Sequence, residues 1–333
     1  MNEAAFPLLD AHLERARRLA ASRDWEALAT LARESEGDAH LRTPELGYLF
    51  ADSFWRLGLP AETLRRVSEL EPVVRRDPGD RLLLRLVNLG GMAAFEAGDA
   101  LAARGRFEEL LELAADRGEN EFIARACNNL GVLANVRGER EVALTFYQRA
   151  LPAYQLLGHR RGLAQTHYNL GVSYRELGFP NEAASHYETA MRLAEEAGSP
   201  DVLGLAECDR GLLRLQSGDA RMAVALAERA RARFRASGDP VRAAEAERVL
   251  GLASCALGRF VEGRALLGTA LETARTHGNL LLRGEVQRDL GTILLQLGDD
   301  SGRAALQDSL SAFQAVGALA EAERVRRLLR DGV

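Results

Sequence analysis

Between residues 121 and 137 the apolar side chains Ile123, Ala126, Cys127, Leu130, Leu133 and Ala134 recur at steps of three and four, the spacing of a helix packed along one face. The positions left over are Arg125, Asn128, Asn129, Val132, Asn135 and Val136. The same pattern returns forty residues later, with Gln165, Tyr168, Asn169, Val172, Arg175 and Glu176 off the packed face. Forty residues earlier those places hold Arg85, Asn88, Leu89, Met92, Phe95 and Glu96.

Glycine punctuates the chain at the same interval. One series runs Gly58, Gly98, Gly138, Gly178, Gly218, Gly258 and Gly298, and another Gly118, Gly158, Gly198, Gly238 and Gly278, with Gly317 as its last, slipped member. Both suit the left-handed residue that ends a helix, and helix-start signals follow them, such as Asp99, Asp219, Asp239-Pro240 and Ser199-Pro200. Each period therefore predicts two helices of about 17 residues, roughly 25 Å long. A further series, Gly91, Gly131, Gly171, Gly211, Gly251 and Gly291, falls inside the first helix of each pair. Glycine there costs about 1 kcal/mol relative to alanine, so a close helix approach is expected. Small residues of the facing helix, Ala143, Ala183 and Ala223, are the predicted partners.

The unit from Gly162 reads Leu170-Gly171, Tyr174, Ala183, Tyr187, Ala190, and the one before it Leu130-Gly131, Ala143, Tyr147, Ala150. This resembles the tetratricopeptide repeat. Later units depart from it, with Ala227 and Leu267 at the second aromatic and Gly263 at an alanine. The period of forty is similar to the long-helix variety found in Pins-type scaffolds, kinesin light chains, and Rap-type and MalT-like regulators. The resemblance implies an all-α fold, a right-handed superhelical solenoid of about eight antiparallel helix pairs. It is expected as one domain over 1–333: a degenerate pair in 1–40, seven forty-residue repeats in 41–318 and a capping helix in 319–333.

In tetratricopeptide proteins the leftover first-helix positions line the concave groove. The resemblance therefore implies groove residues Asn88, Arg125, Asn128, Asn129, Tyr168, Asn169 and Arg175, continued by Asp209, Arg248, Arg288 and Asp289 over a leucine floor. Asn129 repeats as Asn169, and Asn88 as Asn128. Two readings of these amides stand. Each offers a donor and an acceptor, so one per repeat can bond the backbone of an extended peptide; alternatively, each bonds the neighbouring repeat. Adjacent helical residues point about 100° apart, which makes Asn129 and Asn169 the better groove candidates.

Charge and chemistry narrow the function classes. A net charge of −5 and a pI near 5.8 argue against direct nucleic-acid binding. Every one of the 43 basic residues is arginine, which removes lysine-based phosphate loops and Schiff-base chemistry. Cys127, Cys208 and Cys255 stand far apart in apolar helical surroundings. The histidines His12, His40, His159, His167, His186 and His277 lack paired zinc spacing, although His167 and His186 fall on opposite helices of one unit. No nucleophile elbow, leader segment or membrane-length apolar run is present. The expectation is a cytoplasmic protein that is not an enzyme and needs no cofactor or metal. It would be a scaffold holding a peptide or partner protein in its groove, or, alternatively, a peptide- or ligand-responsive regulator.

Overall fold

The computed structural model describes residues 5–36, 43–77 and 79–332. His40 and parts of the degenerate first pair lie outside the described residues. Among those described, seventeen helices and no strand are found. They gather into two compact units, Met1–Asn129 and Leu130–Val333.

The first unit holds α1 (Ala5–Ala21), α2 (Trp25–Glu34), α3 (Pro44–Arg56), α4 (Pro60–Val74), α5 (Arg81–Glu96), α6 (Ala100–Asp116) and the first half of α7 (Asn120–Arg137). The second unit takes the rest of α7 and then α8 (Arg140–Leu156), α9 (Arg160–Glu176), α10 (Pro180–Glu196), α11 (Pro200–Gln216) and α12 (Ala220–Ala236). It continues with α13 (Pro240–Ala256), α14 (Phe260–Thr276), α15 (Leu280–Gln296), α16 (Ser301–Ala315) and α17 (Leu319–Asp331). Within each unit, sequence neighbours pack as antiparallel pairs, as repeat physics requires.

The turns explain the two outer glycine series. At the end of α7, Gly138 has φ +87° and its N–H donates to the Asn135 carbonyl at 3.0 Å, while the Glu139 N–H reaches Ala134 O at 2.9 Å. A left-handed residue closed by such a bond satisfies the last carbonyls of the helix. The next helices start on schedule: the side chains of Asp99, Asp219 and Asp239 accept from the N–H of Ala102, Met222 and Arg242. Ser199 departs from expectation, since its hydroxyl makes no cap bond to α11.

The interior glycines lie at a close approach; a Cβ on Gly211 would meet the carbonyl of the expected Ala223 at 3.4 Å, whereas Gly91, Gly131 and Gly171 meet aromatic rings in place of the expected alanines. A Cβ placed on Gly171 would stand 2.6 Å from the Tyr187 ring, so the aromatic one turn beyond Ala183, not the alanine, fills the space the glycine leaves. Where the aromatic is absent, at Ala227, the equivalent Gly211 is less crowded, with Val249 Cγ1 at 3.3 Å. The ring has moved two turns along α12 to Phe234, which lies over a new glycine, Gly204. In α11 and α12 the departure from the repeat pattern is thus a paired exchange of ring and glycine that keeps the core filled, whereas at Leu267 the leucine itself closes on Gly251, 2.7 Å from where a Cβ on that glycine would stand.

The capping helix does more than cover an end. Val325, Ala322 and Ala318 bury against Leu306 and Phe313 of α16, and Val136 joins the same cluster. Ala320 lies beside Gly138, and Arg324 Nη2 sits 2.9 Å from Glu176 Oε2. Helix α17 therefore folds back onto α7 and α9 within the second unit.

Candidate functional site

In the first unit two of the candidate positions, Asn88 and Arg125, border a cavity of about 540 Å³ between α3, α5 and α7, and Asn128 and Asn129 do not line it. Tyr48, Asp52 and Arg56 enter it from α3, Arg85 and Asn88 from α5, and Arg125 from α7. Helical periodicity places these residues together, because 48 to 52 to 56 and 81 to 85 to 88 follow one face of each helix.

Most charges here are paired. Arg125 bonds Glu121 at 2.7 Å, Arg81 bonds the same carboxylate at 2.7 Å, and Arg56 stands 3.6 Å from Asp52. Arg85 is different: its guanidinium lies 4.1 Å from the Tyr48 ring centroid, and among the described residues it forms no ion pair. Burial raises both the Tyr48 phenol and the Asp52 carboxyl above their ordinary values, and the charge of Arg85 opposes the rise at each.

The asparagines are brought together. Asn129 Nδ2 donates to Asn88 Oδ1 at 3.1 Å, joining successive repeats, and Asn88 Nδ2 lies 3.7 Å from Met92 Sδ. Asn128 is half-buried beside Asn129. In the second unit Asn169, only 6% exposed, accepts from Gln165 Nε2 at 3.2 Å. Asn135, a leftover position not singled out among the amides, donates to Tyr147 Oη at 3.2 Å and to Ser173 Oγ at 2.9 Å. Amides bonding the adjacent repeat are therefore present, and Asn88, though nearly buried, also lines the first-unit cavity.

The second unit brings together Tyr168, Arg175, Asp209, Arg248, Arg288 and Asp289, but against one another. Tyr168 donates to Asp209 Oδ2 at 2.7 Å, and Arg175 pairs with the other oxygen of that carboxylate. Arg248 meets Asp289 at 2.6 Å, and Arg288 meets Glu321 of α17 at 2.5 Å. A small space of about 220 Å³ remains among them, closed on one side by Glu321 and Arg324.

Titration follows from this crowding. Burial would raise Asp289, but Arg288 and Arg248 outweigh it and hold the carboxyl below its ordinary value. Burial lifts Glu285, and pushes Glu245 up to about 7 with help from Glu285 and Asp209. The buried Nε atoms of Arg175 and Arg248 have no hydrogen-bond partner.

His167 and His186 do approach, Nδ1 to Nδ1 at 3.0 Å, with Tyr174 stacked on His186. Burial and the facing ring lower His167 to about 4. Among the described residues no group of three or more His, Cys, Asp or Glu could hold a metal ion, and no helix is long and apolar enough to cross a membrane.

Comparison with known proteins agrees with this architecture. Residues 162–236 match the family model described as tetratricopeptide repeat. No curated protein gives a significant sequence match. A Rap protein solved in complex with competence and sporulation factor is similar over 98% of this chain and 97% of its own, at 14% identity and TM-score 0.65. The NprR protein in complex with its cognate peptide NprX is similar over 97% of both chains, at 15% identity and TM-score 0.65. Aspartyl phosphate phosphatase F from Bacillus subtilis is similar over 100% of this chain and 97% of its own, at 17% identity and TM-score 0.57. At these identities the likeness is one of fold. With the forty-residue period, the ring-over-glycine packing and the paired helices, it gives the chain the fold of a tetratricopeptide-type helical repeat, residues 162–236 matching the family model itself.

Proposed function

We propose that this protein is a peptide-binding interaction protein, with its binding site in the first unit around Arg85, Asn88, Asn129 and Arg125. The observation that carries this reading is Arg85. It is held by the Tyr48 ring at the edge of a 540 Å³ cavity, without a close ion pair among the described residues, next to an amide pair that spans two repeats. An extended segment bearing a carboxylate satisfies both features, since the guanidinium binds the acid and the amides bond the backbone. The fold likeness to the NprR protein solved in complex with its cognate peptide supports the same class of partner.

The second unit suits such a segment less well as it stands. Its groove arginines are neutralised by Asp209, Asp289, Glu176 and Glu321, and α17 occupies one wall. That arrangement favours a second reading, in which a ligand displaces α17 and the protein responds by changing shape. Its sign would be a ligand-dependent loss of α17 protection from proteolysis.

The test of the first reading begins with selection from a random displayed-peptide library. Fluorescence anisotropy of the recovered peptides then compares the parent with Arg85→Ala. Loss of a charge-assisted hydrogen bond worth about 1.5–3 kcal/mol should weaken binding on the order of 10- to 100-fold. Equal affinities in the two proteins would remove Arg85 from the site.

A further inference from the structure

A second cavity, of about 490 Å³, opens in the second unit between the α9–α10 turn and the last turns of α11. Its distinguishing residues are Arg210 and Arg214. In the other forty-residue repeats from α5 onward the place of Arg210 is taken by Gly90, Leu130, Leu170, Leu250 and Leu290, and that of Arg214 by Ala94, Ala134, Tyr174, Ser254 and Leu294. Most of those counterparts are buried core residues, among them Leu170 at 1% and Ser254 at 2% exposure. Only in α11 do two arginines, four residues apart and so on one face, take these places, with Arg210 half-buried and Arg214 exposed at the rim of the cavity.

Neither arginine is neutralised. Among the described residues no carboxylate pairs with Arg210 or Arg214, and the nearest recorded partner of Arg210 Nη1 is the Met191 sulfur at 3.8 Å. The acidic neighbours are committed elsewhere: Asp209 to Tyr168 and Arg175, and Glu207 to Arg229 and Arg233. Opposite them the cavity is walled by the start of α10, at Pro180 and Asn181. That helix carries no side-chain cap, since Phe179 precedes it; Pro180 has no N–H and the Ala183 N–H donates to Phe179 O at 3.0 Å, which leaves the N–H groups of Asn181 and Glu182 without a side-chain acceptor. Glu182, the acidic residue of the first turn, does not line the cavity. Leu213 and Ala184 complete the wall with apolar surface.

Replacing leucine by arginine at 210 forgoes apolar burial and leaves a half-buried guanidinium without a carboxylate partner, beside the exposed guanidinium of Arg214. We propose that this cavity binds a phosphate monoester of a small molecule. The phosphoryl group lies between Arg210 and Arg214 and faces the open start of α10, and the organic part rests on Leu213 and Ala184. Guanidinium donors and free helix N–H groups are the two groups that bind phosphoryl oxygens best. The site is separate from the first-unit cavity and does not depend on peptide binding there.

The test uses the whole chain and two probes, inorganic phosphate and phenyl phosphate, titrated by calorimetry at constant ionic strength. Phenyl phosphate is expected to bind at least several-fold more tightly than phosphate. Binding of both should weaken tenfold or more in Arg210→Leu and in Arg214→Ala, and persist in Arg231→Gln on the neighbouring helix. Arg210→Leu restores the residue of most other repeats and should fold at least as well as the parent, so its loss of binding cannot be ascribed to unfolding. Absence of binding by the parent, or unchanged binding in Arg210→Leu, would overturn the proposal. Equal loss in Arg231→Gln would also overturn it, because it would reduce the effect to general surface charge.

Discussion

Arg324 Nη2 and Glu176 Oε2, separated by 148 residues of sequence, lie 2.9 Å apart and tie α17 to the end of α9. Glu176 would be raised by burial, but Arg175, Arg324 and Arg140 together hold it below its ordinary value. A carboxyl depressed on folding contributes stability that is present above its unfolded pKa of about 4.3 and lost as pH falls through the folded value. Arg324→Glu places a third carboxylate beside Glu176 and Glu321. Because Arg324 is itself half-exposed, the attraction alone is worth about 0–1 kcal/mol, and repulsion adds to the loss. Hydrogen exchange should show α17 opening faster in the variant at pH 7, with the difference shrinking below pH 4.

The packing glycines give a sharper contrast. Gly171→Ala drives a Cβ into the Tyr187 ring and should cost about 1–3 kcal/mol in denaturant unfolding. Gly211→Ala meets nothing closer than 3.3 Å and gains up to about 1 kcal/mol of helix propensity, so it should stay near neutral. Equal losses at the two positions would contradict the ring-for-glycine account.

Glu245 predicts a pH dependence of opposite sign to Glu176. Its carboxyl is lifted to about 7 by burial, while Arg242 and Arg248 partly oppose Glu285 and Asp209. The folded state keeps this proton after the unfolded chain has lost it, so stability falls between about pH 4.3 and 7 and levels off above. Glu245→Gln should remove that slope and stabilise the protein at pH 8 by about 1–3 kcal/mol. Thermal melts of both proteins at pH 5 and pH 8 check it: the variant should gain only at the higher pH.

The Asn129–Asn88 bond invites a double-mutant cycle. Asn129→Ala leaves the Asn88 oxygen, on a residue 5% exposed, without its recorded donor and should cost about 1–3 kcal/mol. Asn88→Ala/Asn129→Ala removes both groups and improves helix propensity, so it should be less destabilised than the single variant. Additive losses would mean that the two amides act independently.

Much of this was legible in the chain. The glycine series located the turns, and the three-and-four spacing separated Leu130 and Cys127 in the core from Asn128 and Arg125 outside it. The site was legible in part. Asn88 with Asn129, Tyr168 with Asp209 and Arg248 with Asp289 are each 41 residues apart, one repeat plus one, and the register brings them together. What the period could not show is that such residues satisfy one another, because complementarity across repeats depends on side-chain reach as well as register. The return of α17 to Glu176 was hidden for another reason: it sums small rotations over many repeats, none of which is written in any one of them. The partner of Gly171 was misassigned because a ring one turn away fills a glycine gap as well as a small residue opposite does. Arg210 stood in plain view as a broken leucine position, but a pattern fitted for its regularities passes over its exceptions.

Peptide capture by the first unit is tested most directly by hydrogen–deuterium exchange on the whole chain, with and without a saturating library-selected peptide. The cavity at Tyr48, Arg85 and Asn88 predicts slowed exchange in α3 and α5, and unchanged exchange in α11, α13 and α15, whose groove charges are already paired. Protection confined to α11, α13 and α15, with α3 and α5 unaffected, would contradict it.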